Sequence, residues 1–98
     1  VLLGGLAGQS VGKSLDDLDR MKIQQTSQHT LETSKDGQSD SWRNPNSGNH
    51  GTVTPLRTYQ QAGAYCREFQ QTVTVGGKQE SAYGTACRQP DGSWRIKS

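Results

Sequence analysis

The alternation of apolar and polar residues is clearest over residues 65–88, where it predicts two strands joined by a hairpin. Residues 65–75 and 78–88 each alternate with the two-residue period of a strand. Gly76-Gly77 between them predicts a two-residue turn, because glycine accepts the positive φ angles that such turns require. This turn sets Val75 opposite Lys78 and fixes the register of the whole hairpin.

The only two cysteines of the chain, Cys66 and Cys87, fall directly opposite each other when pairs are counted outward from the turn. Composition alone leaves free thiols, metal ligands or a disulfide open. Two cysteines cannot complete a zinc site, and His29 and His50 show no ligand spacing around them. The register places the cysteines at a non-hydrogen-bonded pair, where Cα atoms lie about 4.5 Å apart. We therefore predict a disulfide and an oxidising compartment.

The same register sorts the hairpin into an apolar and a polar face. Phe69 falls opposite Gly84, a pairing in which the ring covers bare backbone. The polar face also carries the disulfide and Tyr83, and a slip of one residue would bury its polar side chains. The apolar face is predicted to consist of Tyr65, Phe69, Val73 and Val75, with Ala82, Gly84 and Ala86 opposite them.

Turn residues divide the rest of the second half into short strands. Residues 41–43 and 52–54 predict strands around a dense turn signal at 44–48. Pro55 either breaks the second strand or marks it as an edge, and residues 56–59 continue it. The turn at 89–93 leads into a last strand, in which Trp94 is predicted to face Arg88 and Ile96 to face Ala86.

The first half predicts one helix, at residues 14–28. Ser14 can cap its N-terminus, with Asp17 as the acidic partner of a capping box. Its apolar stripe is thin, so the helix should be marginal unless it docks. A polar linker with a turn at 35–37 follows. The stripe consists of Leu15, Leu18 and Met21, with Ile23 lying off it.

The whole pattern predicts an α+β fold: an N-terminal amphipathic helix and a four- to five-stranded antiparallel meander sheet with one cross-strand disulfide. The chain divides into a glycine-rich segment (1–13), the helix (14–28), a linker (29–38) and a β-rich domain (39–98). A bare apolar sheet face would be unstable. We therefore expect the helix to cover Tyr65, Phe69, Val73, Trp94 and Ile96.

Composition limits the chain to one small domain with little core, because only 29% of its 98 residues are hydrophobic. A net charge of +2 without a Lys/Arg run argues against a nucleic-acid partner.

Residues 1–12 are too short to span a bilayer. Gly4, Gly8 and Gly12 recur at the spacing of a membrane-associated glycine zipper, although a flexible tail fits the same pattern.

Candidate chemistry is sparse, and we predict no catalytic residues, no metal site and no cofactor. No set of side chains has a reason to converge as nucleophile, base and orienting group. The best candidate for partner binding is the group Trp42, Arg43 and His50, because an aromatic ring beside an arginine can stack on a ligand. The alternative is that Trp42 packs in the core while its polar neighbours build the turn.

Three sequence runs resemble a known family. The runs YCREFQQTVTVGGKQESAYGTACRQPDGSWRI, SWRNPNSGNHGTVTP and GGLAGQSVGKSLDDLDR look like the 17 kDa surface antigens, outer-membrane lipoproteins of Gram-negative bacteria. The resemblance implies an upstream signal peptide, a lipidated cysteine and a full glycine zipper. It also implies a non-enzymatic structural or interaction domain at the periplasm or cell surface, with envelope proteins or peptidoglycan as partners. A soluble periplasmic inhibitor or ligand-binding module is the alternative.

Overall fold

The computed structural model describes residues 14–97, which form one helix packed on one antiparallel sheet. Strand order in the five-stranded sheet follows the sequence, so each strand pairs with its neighbour in the chain. This α+β meander confirms the predicted fold class. The elements are helix α1 (Asp17–Thr33) and strands β1 (Asp40–Arg43), β2 (His50–Gln61), β3 (Ala64–Val75), β4 (Lys78–Arg88) and β5 (Trp94–Ile96).

The β3–β4 hairpin has the register that the sequence predicts. Val75 pairs with Lys78 across the diglycine turn, whose two glycines have φ angles of 58° and 81°. The same ladder places Cys66 opposite Cys87, and a disulfide joins them across 21 positions of sequence. The predicted cross-strand disulfide is therefore confirmed. The β4–β5 pairs, Arg88 with Trp94 and Ala86 with Ile96, also match the prediction.

Strand β2 continues through Pro55 instead of breaking there. A bulge between Pro55 and Arg57 leaves Leu56 as the extra residue, and interrupted pairing accommodates a proline that lacks an N–H group. The bulge also changes which residues face the helix. Val53 faces it before the bulge, and Thr58 faces it afterwards.

The helix occupies Asp17–Thr33, so the predicted bounds of 14–28 are wrong at both ends. Asp16 is the N-cap in place of Ser14. The Asp19 N–H donates to Asp16 Oδ1 at 2.8 Å, and the Asp16 N–H donates to Asp19 Oδ2 at 2.9 Å. Both acceptors are carboxylates, which accept stronger hydrogen bonds than a serine hydroxyl. The predicted linker of 29–38 starts inside the helix, and only residues 34–39 connect it to β1.

The buried face of α1 differs from the predicted stripe. Met21 is 50% exposed, whereas Ile23 is buried at 3%. The stripe was hard to recognise because three of its five buried residues are polar, and they are usable only because the sheet supplies partners for them. The buried residues of the helix are Asp19, Ile23, Ser27, Thr30 and Leu31.

We call the sheet face covered by α1 the inner face and the opposite face the outer face. The inner face holds two apolar clusters, and Phe69, Val73 and Trp94 are buried in them as predicted. Tyr65, predicted to lie under the helix, is instead 53% exposed. It lies near the start of β3, where it lines an open groove beside the last turn of the helix.

Candidate functional site

The predicted binding group of Trp42, Arg43 and His50 does not form one surface. Trp42 is only 6% exposed and packs with Ile23 and Val73 on the inner face. Arg43 and His50 are exposed and lie opposite each other across β1 and β2. Core packing of Trp42, the interpretation that the sequence favours over partner binding, is therefore correct, and the indole fills the space over Gly51. Partner binding by Arg43 and His50 stays a prediction.

Gly4, Gly8 and Gly12 lie outside the described residues, so the zipper stays a prediction. Between residues 14 and 97, no three His, Cys, Asp or Glu side chains come together as they would around a metal ion. No helix in this range is long and apolar enough to cross a membrane.

A buried carboxylate, Asp19, holds the turn between β1 and β2 against the start of the helix. The side-chain amides of Asn44 and Asn49 donate to its two oxygens at 2.8 and 2.7 Å, and the Ser47 hydroxyl donates at 2.9 Å. Asp19 and Asn44 are fully buried. This arrangement, which we call the Asp19 cage, fixes a loop that the sequence marks only as a turn.

The Asp19 cage also sets the charge state of its carboxylate. Burial by itself raises the pKa of Asp19, but hydrogen bonds from the Asp16 N–H and from Asn49, Asn44 and Ser47 outweigh burial and lower the pKa below its usual value. The carboxylate is therefore ionised at neutral pH, and its function is structural. Its only sequence signal is an acidic residue on the buried side of a helix that precedes an Asn-rich turn.

The last turn of the helix is held by an arginine from the sheet. Arg67 is 7% exposed, and its Nε–H group donates to Thr58 Oγ1 at 2.9 Å. Its two Nη atoms donate to the carbonyl oxygens of Leu31 and Ser34, each at 2.7 Å, and to Asp36 Oδ1 at 2.9 Å. Carbonyl groups at a helix end lack partners within the helix. This set, which we call the Arg67 clasp, supplies those partners and explains why the helix extends to Thr33.

The Arg67 clasp lowers the pKa of Asp36, chiefly through the hydrogen bond from Arg67 and secondly through the one from Thr58. Sequence reasoning did not identify Arg67 as important. Its position in β3 is on the inner face, between positions that are apolar, and an arginine there must find partners or leave a buried charge unpaired. The two-residue period of β3, which places this arginine among apolar residues, was the sequence signal that could have identified it.

An open groove of about 350 Å³ lies beside the clasp, at the end of the helix. Glu32 accepts hydrogen bonds there from Arg88 Nε at 2.9 Å and from the Trp94 indole N–H at 2.9 Å. Arg88 first and Trp94 second lower the pKa of Glu32 through these bonds. The charged groups of this groove, Glu32, Arg67 and Arg88, therefore have partners within the chain. It is lined by Leu31, Glu32, Thr58, Tyr65, Arg67, Arg88 and Trp94.

The outer face is the large surface that no element among residues 14–97 covers. Along its middle it is polar, and the hydroxyls of Thr52 and Thr72 lie 2.6 Å apart across β2 and β3. Tyr83 and Leu56 are 65% and 45% exposed. The outer face is therefore the best candidate in this domain for contact with another molecule, since the inner face is occupied by the helix.

Comparisons with known proteins give one consistent result. A family model described as 17 kDa outer membrane surface antigen matches residues 29–95. No solved structure matches the chain.

Curated relatives in the genus Rickettsia carry the name 17 kDa surface antigen. The Rickettsia bellii protein is 55% identical over 87 residues, which are 88% of this chain and 55% of the relative. The Rickettsia prowazekii protein is 55% identical over 82 residues, 83% of this chain and 52% of the relative. The Rickettsia conorii protein is 54% identical over 83 residues, 84% of this chain and 52% of the relative. The chain thus spans about half the length of the relatives that it matches.

Proposed function

This chain belongs to the 17 kDa outer membrane surface antigen family, and from that premise we propose that it is the non-enzymatic structural or interaction domain of an outer-membrane lipoprotein. In this proposal the domain is displayed to the periplasm or to the cell surface, and a lipid anchor on another part of the protein holds it at the membrane.

The observation that carries the proposal is the disulfide between Cys66 and Cys87. The two cysteines face each other in a regular ladder, so the fold itself brings the sulfur atoms together. Structural disulfides persist in the periplasm, at the cell surface and in secreted proteins, and they are rare in the reducing cytosol. The disulfide therefore supports an exported domain independently of the family name.

The ionised groups support a structural rather than a catalytic role. Asp19 and Arg67 are buried, and their hydrogen-bond partners are side chains and carbonyl groups of this chain. Catalytic groups with perturbed pKa values usually face a cleft where substrate can reach them. Asp19 instead binds the turn between β1 and β2, and Arg67, although it lines the groove at the end of the helix, already donates to carbonyl groups of the last turn.

One observation favours the alternative, a soluble periplasmic inhibitor or ligand-binding module. The groove at the end of the helix has aromatic residues Tyr65 and Trp94 on its walls and is open to solvent. Since Glu32 already binds both Arg88 and the indole of Trp94, a ligand would have to displace these contacts or use the exposed ring of Tyr65. This alternative therefore ranks second.

Fractionation of cells that produce the native protein tests the proposal. We expect the protein in the outer-membrane fraction, with Cys66 and Cys87 oxidised when free thiols are trapped before lysis. Protease added to intact cells, and to cells with a permeabilised outer membrane, then distinguishes surface from periplasmic display. Recovery in the cytosol with both cysteines reduced would contradict the proposal. A soluble periplasmic pool that binds one hydrolase or small molecule stoichiometrically would favour the alternative.

A further inference from the structure

Positive charge is concentrated at one end of the outer face. Two neighbouring rows of the ladder meet there: one contains Arg57 and Glu68, and the next contains Tyr59, the disulfide and Arg95. Lys97 extends the first row, because its backbone N–H donates to the Thr85 carbonyl oxygen at 2.7 Å. We call Arg57, Tyr59, Arg95 and Lys97 the cationic patch.

The cationic patch and Glu68 together carry a net charge of +2, which equals the formal charge of the whole chain. The remaining charges of the protein therefore cancel. Glu68 is bound by Arg57 at 2.7 Å. Among residues 14–97, neither Arg95 nor Lys97 forms an ion pair, and both are exposed. Lys97 Nζ donates a hydrogen bond to the side-chain amide oxygen of Gln61, a neutral group that leaves the charge of Lys97 unneutralised. The charge of both residues is thus available to an anionic partner.

Aromatic and apolar side chains accompany these cations. The Tyr59 ring has the Arg57 guanidinium 4.7 Å and the Lys97 ammonium 5.9 Å from its centroid. Tyr83 and Leu56 lie next to Glu68 and line one shallow depression. Lys and Arg beside exposed Tyr and Leu are typical of surfaces that lie at a membrane–water interface, where rings sit at headgroup level and cations meet lipid phosphates.

We propose that the cationic patch, with Leu56 and Tyr83, docks the outer face of the sheet onto an anionic lipid surface. Lipid phosphates bind Arg95 and Lys97, while Tyr83 and Leu56 enter the headgroup region. An acidic protein or polymer would use the same cations but would gain little from the two exposed apolar side chains. The inference adds a partner to the proposed function and rests on that function only for the presence of a membrane nearby.

Vesicle co-sedimentation of the full chain tests this docking. Vesicles of phosphatidylcholine with one third phosphatidylglycerol should bind the protein, and binding should weaken sharply at about 0.5 M salt, where the Debye length is only a few Å. The double variant Arg95→Gln/Lys97→Gln should bind about 30-fold more weakly, because each cation near an anionic leaflet contributes about fivefold to the affinity.

The matched control is Lys35→Gln/Lys78→Gln. It removes the same amount of charge from exposed positions outside the cationic patch, so it should retain most of the binding. Both variants keep residues 1–13, so any partitioning by that segment contributes equally to both. A second variant, Leu56→Ser/Tyr83→Ser, should weaken vesicle binding but leave binding to dextran sulfate, a polyanion without acyl chains, unchanged.

Three results would overturn the docking proposal: equal binding to pure phosphatidylcholine vesicles, equal losses in the two charge variants, or no loss in the Leu56→Ser/Tyr83→Ser variant. The last result, together with tight binding to dextran sulfate, would identify an acidic polymer as the partner. Because these measurements use purified components, their failure leaves the proposed envelope location standing, and only cell fractionation tests that location.

Discussion

The inner and outer faces of one sheet are built from alternating residues of the same strands, yet they use charge in opposite ways. Between the inner face and the helix, Arg67 of β3 and Asp19 of α1 are buried, and each is surrounded by hydrogen-bond partners from other parts of the chain. On the outer face, Arg95 and Lys97 are exposed, and neither forms an ion pair with any residue between 14 and 97. Charge buried under the helix therefore contributes to stability, whereas the two exposed cations Arg95 and Lys97 are left for the docking that we propose.

This division explains how a chain with 29% hydrophobic residues keeps a helix docked. Two small apolar clusters lie under the helix. The Asp19 cage fixes one end of the helix, and the Arg67 clasp fixes the other. If the division is correct, substitutions on the inner face should lower the free energy of unfolding, and equivalent changes on the outer face should not.

The largest effect is expected for Asp19→Ala. The substitution leaves the buried amides of Asn44 and Asn49 without their acceptors, so we expect unfolding free energy to fall by about 4 kcal/mol. Urea denaturation followed by tryptophan fluorescence measures this change. The control is Asp17→Ala, two residues earlier, whose side chain is fully exposed and should cost under about 0.5 kcal/mol. Equal effects of the two substitutions would contradict the cage.

The next largest effect is expected for Arg67→Met. The methionine fills part of the space but leaves the carbonyl groups of Leu31 and Ser34 without donors, which should cost about 3 kcal/mol. Hydrogen exchange should also show loss of protection in the last turn of the helix. Arg57→Met, on the outer face, removes a solvent-exposed ion pair and a ring contact and should therefore lower stability much less than Arg67→Met. A loss of protection confined to β3 would argue against the clasp.

A smaller effect, about 2 kcal/mol, is expected for Gly51→Ala. A Cβ atom at this position would lie 2.2 Å from the Thr72 carbonyl oxygen and 2.7 Å from Trp42 Nε1, so the backbone must shift. Gly84→Ala is the matched comparison. Its Cβ would meet the Phe69 ring at 3.0 Å, and a ring can move slightly, so the cost should be lower. Thermal denaturation of both variants measures the two losses of stability. A larger loss for Gly51→Ala would show that Trp42 packs closely against Gly51, and equal losses would contradict this.

Acid should destabilise the domain gradually. The pKa values of Asp19, Asp36 and Asp40 are all below their ordinary value of 3.8, and for Asp40 the first cause is its hydrogen bond from Thr30. The folded state therefore binds fewer protons than the unfolded state at acidic pH. Stability should be constant above about pH 5 and fall as the pH drops through the lowered pKa values.

Denaturation midpoints measured between pH 3 and pH 7 test this dependence. Replacing Asp40 with Asn should flatten the slope at low pH, because it removes one of the carboxyl groups whose pKa is lowered in the folded state. Stability that rises on acidification would show that the inner-face carboxylates are not held in their ionised form.

The smallest effect on stability is expected for the outer face itself. Arg95→Gln/Lys97→Gln removes two exposed charges without ion-pair partners among residues 14–97 and should change unfolding free energy by less than about 0.5 kcal/mol. A loss above about 1 kcal/mol in the same urea titration would mean that the cationic patch has a structural role.

The elements that the sequence predicted correctly are those fixed by residues close to each other along the chain. Gly76-Gly77 fixes the hairpin, and the opposed cysteines confirm its register, because all four residues belong to one hairpin of adjacent strands and their turn. The end of the helix could not be found in the same way. Its last turn contains no Gly or Pro stop signal, and its carbonyl groups are satisfied by Arg67, which is more than thirty positions away.

The outer-face surface was only partly predictable, because it depends on which face of its strand each residue occupies. Strand alternation assigns Trp42 and Arg43 to opposite faces, so they could not form one binding group once both were in a strand. The cationic patch depends on the bulge at Leu56, which moves Arg57 and Tyr59 to the outer face. A bulge of this kind is a departure from strand periodicity, and the sequence marks it only by Pro55.

The most direct test of the two-face account is residue-resolved NMR of the domain with anionic vesicles that carry a spin-labelled lipid. The account predicts enhanced relaxation of amides around Arg57, Tyr83 and Arg95, and little change along Asp17–Thr33 on the opposite side of the sheet. Strongest relaxation along the helix, or uniform relaxation over both faces, would contradict it.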